Sequence, residues 1–186
     1  RQAAAELVLN PGTAVAAGLI DAHAGGIGSV GVRSSHGTAL TRMAYVFGTS
    51  ACTMASSREP LFIPGIWGPY FSAMAPGIWL SEGGQSGAGA AIEQLIGFHP
   101  AAAEAQRLAE IEGFSLPDWL ADQATRQAGT PSQAARLAGG IIVVPDFLGN
   151  RSPHADPQAR AVIAGLGMAR DLDDLVAPYV AGLTGI

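Results

Sequence analysis

A lone carboxylate at the end of an apolar run is the first place in this sequence where chemistry could sit. Thr13 to Ile20 is small and branched, Asp21 follows, and Gly25, Gly26 and Gly28 come soon after. Such a run reads as a buried strand. Asp21 is then expected at the strand's C-terminal end, where open α/β sheets place their ligands. Glycines there let the backbone turn sharply and approach a ligand closely. A carboxylate held beside a hydroxyl can act as a general base. The plain alternative is a capping or turn aspartate, and two further glycine-rich turns shift the balance away from it.

The first of these turns is Gly48-Thr49-Ser50, which follows an expected strand and offers backbone N–H groups and two hydroxyls to an anion. Alone it is also an ordinary strand–strand turn. The second, Glu82-Gly83-Gly84-Gln85-Ser86-Gly87-Ala88-Gly89, is stronger because it leaves a strand and opens a helix. A helix N-terminus with little side-chain bulk is a ready phosphate site; small residues there also serve close packing. The same stretch supports a rival reading. Gly84-Gln85-Ser86-Gly87-Ala88 nearly matches a nucleophile elbow, with Asp146 and His154 following in hydrolase order. Those two lie only eight positions apart around a proline-rich loop, and Asp21 would have no role. His23, His36, His99 and His154 show no metal-ligand spacing and read as structural or surface residues. Trp67, Trp79 and Trp119 read as core or interdomain packing.

The elements needed to position these groups follow from periodicity. Residues 2–9 read as the tail of a helix, and 33–37 as a polar connector and domain boundary. Met43–Phe47 and Cys52–Ala55 read as strands, Pro60–Tyr70 as turns, Met74–Leu80 as a strand and Ser86–Ile96 as a helix. Two helical patterns between 101 and 127 break at Ser115-Leu116-Pro117, with a short helix expected over Pro131–Leu137. Ile141–Val144 reads as a strand and Asp171–Leu183 as a helix with an acidic first turn. Strands in succession, then helices, predict an α/β fold with a mixed sheet.

Composition narrows the function classes. The 186 residues are 48% hydrophobic and 13% charged, which excludes a disordered chain. A net charge of −5 without a basic cluster argues against a nucleic-acid surface. All ten cationic residues are arginine, so Walker A loops and lysine Schiff-base chemistry are absent. Cys52 is the only cysteine, which excludes an intrachain disulfide and fits a reducing cytosol. No apolar stretch reaches the roughly 20 residues of a membrane span. The first residues lack an initiator Met and a signal-peptide layout, and the last follow a helical pattern directly. The chain is expected to be an interior segment of a longer protein.

Taken together the turns resemble the FGGY carbohydrate kinases, most closely the ribulokinase-like pentulose kinases. Gly18 to Gly26 resembles the segment carrying that family's catalytic aspartate. Gly48-Thr49-Ser50 resembles its second phosphate-binding turn, and Glu82 through Ile92 its strand–helix element contacting sugar and nucleotide. Gly149-Asn150-Arg151-Ser152-Pro153, with Asp156, Arg160 and Gly165-Leu166, resembles a further family loop. The motifs cover nearly the whole chain in the family's order. The resemblance implies an α/β, actin-like, ribonuclease-H-like ATPase fold, with 1–35 closing the first domain and 36–186 opening the second. It implies ATP-dependent phosphorylation of a pentulose hydroxyl, D-ribulose foremost, with Asp21 as general base. Asp21 and Glu82 would face the sugar; Gly48, Thr49, Ser50, Gly89 and Glu93 would face ATP, with Mg²⁺ as its companion. The expected partners are a small-molecule sugar and a second copy in a homodimer, with neither nucleic acid nor membrane, in the cytoplasm. The family's Asp-x-Gly-Thr phosphate turn and its later glycine-rich adenosine turn are absent from these residues. A serine hydrolase with Ser86 as nucleophile, and a non-catalytic module of the same fold, are the alternatives. The helices over 98–140 read as a lineage-specific elaboration.

Overall fold

The sheet that carries the candidate residues has four strands: β1 (Met43–Phe47), β2 (Ala51–Ser57), β3 (Trp67–Phe71) and β4 (Trp79–Gln85). In the computed structural model, which describes residues 1–14, 16, 18–32 and 37–186, their order is β1-β2-β4-β3. Every pairing is antiparallel. A mixed sheet was expected. The links between these strands are too short for the crossover a parallel neighbour requires, so antiparallel pairing wins. The sequence places a strand at 74–80 and turns over 60–70, whereas β4 begins at Trp79 and β3 occupies Trp67–Phe71. Pro69 misled that reading. It is tolerated because β3 is an edge strand, with its register shifting between Trp67 and Tyr70.

Alternation gives the sheet two unlike faces. Ala44 pairs with Met54 and Met54 with Glu82, so these share one face with Val46, Cys52 and Leu80. On the other face Met43, Tyr45 and Phe47 are exposed. Helix α2 (Asp21–Val30) lies on the first face, where Val30 joins Ala44, Met54, Met74 and Leu80 in a buried cluster. This corrects the expectation that Asp21 ends a strand. No strand is found over the described part of 13–20, and Leu19 and Ile20 are exposed. Branched residues alone cannot hold a strand without a partner to pair with. The glycines after Asp21 do not make a turn either. They are helical, and they bring the helix close: a Cβ at Gly26 would sit 2.7 Å from Met74 Sδ, and one at Gly25 would sit 3.3 Å from Val46 Cγ2. The expected connector and boundary at 33–36 lies outside the described residues.

Beyond the sheet the chain is mostly helical: α3 (Gly89–Gly97), α4 (Ala102–Glu112), α5 (Leu116–Ala128), α6 (Pro131–Ala134) with a 3₁₀ turn over Ala135–Ala138, and α7 (Leu172–Gly185). A short helix α1 (Gln2–Glu6) precedes them in the chain, and β5 (Ile142–Val144) pairs with β6 (Val162–Ala164). Ile92, Ile96, Trp119, Leu120, Leu175 and Tyr179 close the main apolar cluster between α3, α5 and α7. Leu120 and Leu175 are fully buried. Caps set the helix limits. Ser115 Oγ accepts the Asp118 N–H at the start of α5, and Asp171 Oδ1 accepts the Asp174 N–H at the start of α7. Tyr179 donates its hydroxyl to the Pro117 carbonyl at 2.9 Å, tying α7 to α5.

Helix α3 begins at Gly89, three residues later than the sequence predicts, because the chain before it docks on the β1–β2 turn. The N–H groups of Ala88 and Ala90 donate to the Thr49 carbonyl, and that of Gly89 donates to the Gly48 carbonyl, at 2.8, 3.4 and 2.8 Å respectively. Only glycine fits at 89, since a Cβ there would lie 2.8 Å from the Gly48 carbonyl oxygen. That neighbour is backbone and has no rotamer to move. Gly89→Ala is therefore expected to destabilise the fold by about 1–3 kcal/mol. It should also speed amide exchange at Ala88 and Ala90, read by thermal unfolding and hydrogen exchange. Unchanged protection at those amides would refute the docking.

Candidate active site

Asp21 is the first residue of α2, exposed, with Oδ1 accepting the Ala22 N–H at 2.8 Å. A carboxylate in a first helical turn is favoured by the unpaired N–H groups and the dipole. The helix direction says where that carboxylate lies. Gly25 packs on Val46 near the end of β1, and Arg42 Nη1 donates to the Val32 carbonyl at 2.7 Å before β1 starts. The helix thus runs antiparallel to β1. Its Asp21 end lies toward Phe47 and the β1–β2 turn.

That turn is Gly48-Thr49-Ser50, with Gly48 and Thr49 exposed. The Gly48 N–H donates to the Ser50 carbonyl at 2.8 Å. In a trans peptide the carbonyl and the following N–H point in opposite directions. Two consecutive carbonyls face α3, so the N–H groups of Thr49 and Ser50 point away from it together. Among the described residues they have no protein partner. Two adjacent free N–H groups make an anion-binding concavity. The α3 N-terminus was expected to cradle phosphate itself, but its first amides are spent on the turn and orient it instead.

Glu82 lies on β4, on the face covered by α2, and its Oε2 is 3.0 Å from His23 Nε2. The sequence reads His23 as a structural or surface residue and gives no reason to pair residues 59 positions apart. The only available signal was that His23 falls two residues after Asp21. Glu93 is exposed on α3, one helical turn beyond Gly89 and so on the same face. It borders a groove of about 560 Å³ with Ile96, Ala102, Gln106 and Leu116. The structure thus joins Gly48, Thr49, Ser50 and Gly89 directly, ties Glu82 to the helix bearing Asp21, and sets Glu93 further along α3. A second cleft of about 430 Å³ opens on the other face of the sheet, lined by Tyr45, Thr53, Gln85 and Ser152. Of the candidate residues only Glu82 touches it. Partial burial holds the Tyr45 phenol above its usual pKa.

The hydrolase constellation is not assembled. A nucleophile elbow strains its serine backbone, yet Ser86 is not among the residues with positive φ. Asp146 Oδ2 accepts from Asn150 Nδ2 at 3.1 Å, and His154 is exposed. The surrounding loop is instead structural. Asn150 bonds Asp156 through both its backbone N–H and its Oδ1, and buried Ser152 Oγ accepts the Trp67 N–H while donating to the Gly65 carbonyl.

Comparison with known proteins places this geometry in context. Residues 43–186 match the model of the C-terminal domain of the FGGY family of carbohydrate kinases. The chain is 44% identical over 191 residues to an FGGY carbohydrate kinase domain-containing protein of Danio rerio, covering 99% of this chain and 35% of that one. It is 34% identical to a D-ribulokinase of Saccharomyces cerevisiae, covering 97% of this chain and 28% of that one. The chain spans about a third of the length of the curated relatives it matches. The crystal structure of a xylulose kinase from Rhodospirillum rubrum superposes with a TM-score of 0.57 at 23% identity, covering 98% of this chain and 31% of that one. The fold is accordingly the actin-like, ribonuclease-H-like ATPase fold. With most of its length matching that domain model, and the sheet, turn and helix in place, this chain belongs to the FGGY family of carbohydrate kinases.

Proposed function

We propose that the protein carrying this chain transfers the γ-phosphoryl group of ATP to a hydroxyl of a pentulose, D-ribulose foremost, with Asp21 as general base. The observation that carries this reading is the outward aim of the Thr49 and Ser50 N–H groups at the end of the sheet where Asp21 also lies. Relatives named D-ribulokinase and ribulokinase support the pentulose class. In this mechanism Asp21 takes the hydroxyl proton as the oxygen bonds to the γ-phosphorus and the bond to the β-phosphate oxygen breaks. The turn's N–H groups hold phosphate oxygens in line; such transfer rests on positioning and charge stabilisation. Glu82 would orient the sugar. From the turn the nucleotide would extend along α3 toward Glu93 and its groove.

Magnesium bound to the nucleotide would neutralise phosphate charge. Among the described residues no three metal-ligating side chains converge. No step above runs through the ion. No described helix is long and apolar enough to cross a membrane. The same reading takes 1–35 as the close of the family's first domain and 36–186 as the start of its second, with a homodimer in the cytoplasm.

Three tests follow, the first two in the full protein. Asp21→Asn should lower kcat by about 10²–10⁴-fold, the usual contribution of a general base, with a much smaller change in sugar KM. Near-normal kcat in a coupled ADP-release assay with D-ribulose would sink the assignment. Ser86→Ala should leave most of the activity, whereas a serine hydrolase would lose it all. Residues 1–186 expressed alone should not phosphorylate D-ribulose, since lobe closure excludes water and aligns both substrates. Turnover by a monodisperse monomer of this chain would contradict the two-lobed mechanism.

A further inference from the structure

We propose that His23 is a positioning residue that fixes the carboxylate of Glu82 for the sugar; this rests on the kinase reading above. The two side chains are 10% and 19% exposed and meet at 3.0 Å. An ionised carboxylate only accepts hydrogen bonds, so His23 donates through Nε2. Among the described residues no other side chain or backbone N–H bonds to the Glu82 carboxylate. Its successors on β4, Gly83 and Gly84, have no side chains to support it. The imidazole is held in turn by its helix. Gly25 and Gly26 press α2 against the sheet, and this lets a ring in the second residue pair of the helix reach β4.

The consequence is a division of labour between the two carboxylate oxygens. Oε2 is held by the ring, which leaves Oε1 to receive a hydroxyl of the substrate. Without His23 the carboxylate would sample several rotamers, and ordering it would oppose sugar binding. It would also be left largely desolvated without a partner. The effect belongs to the sugar and not to the nucleotide, because the phosphate turn is held separately by α3.

The test compares His23→Leu and His23→Gln with wild type in the full protein, using ATP and a panel of ketopentoses, alongside thermal melting. His23→Leu keeps the bulk and removes the donor. It should raise the sugar KM about 10- to 100-fold, the scale of a lost hydrogen bond to a charged group, and leave the ATP KM near wild type. His23→Gln carries an amide N–H close to the position of Nε2, and should bring the sugar KM most of the way back. A purely structural role would lower the melting temperature and the active fraction, shift neither KM selectively and show no rescue by glutamine; that pattern refutes the positioning role. So does an unchanged sugar KM in His23→Leu beside an active wild type. If wild type phosphorylates no ketopentose, the kinase reading itself fails and takes this inference with it.

Discussion

The three amides at the start of α3 that grip the Gly48 and Thr49 carbonyls are the constraint on which this site rests. Hairpin turns usually leave their peptide dipoles to solvent, free to rotate between turn types. Here a helix terminus fixes two successive peptide planes at once. The helix needs acceptors for its orphan N–H groups, and the turn needs its carbonyls turned inward if its N–H groups are to face out. One set of bonds satisfies both. It also explains a glycine, since bulk at 89 would meet the turn's backbone; Gly84 answers instead to β2–β4 pairing, where a Cβ would meet the Ala51 carbonyl.

The second support is the seat of α2 on the sheet. Val30 enters the cluster of Ala44, Met54, Met74 and Leu80, while Gly25 and Gly26 shorten the distance between helix and strands. At its far end Arg42 holds the Val32 carbonyl. The His23–Glu82 bond is the polar counterpart of this packing, and it lies on the same face. The α3–α5–α7 cluster anchors α3, whose first amides hold the turn. Fully buried Leu120 and Leu175, whose truncation typically costs about 2–5 kcal/mol each, belong to that cluster.

Much of this architecture was legible in the sequence where local signals agree. The two hairpin strands, the break at Ser115-Leu116-Pro117 and the acid-capped last helix are all found with limits shifted by a few residues. Long-range placement was not legible. The run before Asp21 has the composition of a strand, but pairing decides strands, and composition carries no register. Gly25 and Gly26 looked like a turn because glycine is helix-averse in isolation; close approach to Val46 and Met74 overrides that preference. Pro69 hid an edge strand, and the His23–Glu82 contact has no trace in the sequence spacing. The sequence groups Gly48, Thr49, Ser50, Gly89 and Glu93 toward one ligand; the structure joins the first four and sets Glu93 one helical turn further on, and the orientation of the turn's amides emerged only with the backbone.

The seating of α2 bears on motion as well as on shape. A helix locked to β1 by packing at one end and a hydrogen bond at the other moves with that strand as one body. The carboxylate of Asp21 and the N–H groups of Thr49 and Ser50 are both fixed to it. Their separation is therefore set by that packing. In a protein so built, the spacing of the Asp21 carboxylate and the turn's N–H groups would be set before any ligand arrives. Domain movement would then bring sugar and nucleotide to groups whose mutual spacing is already set.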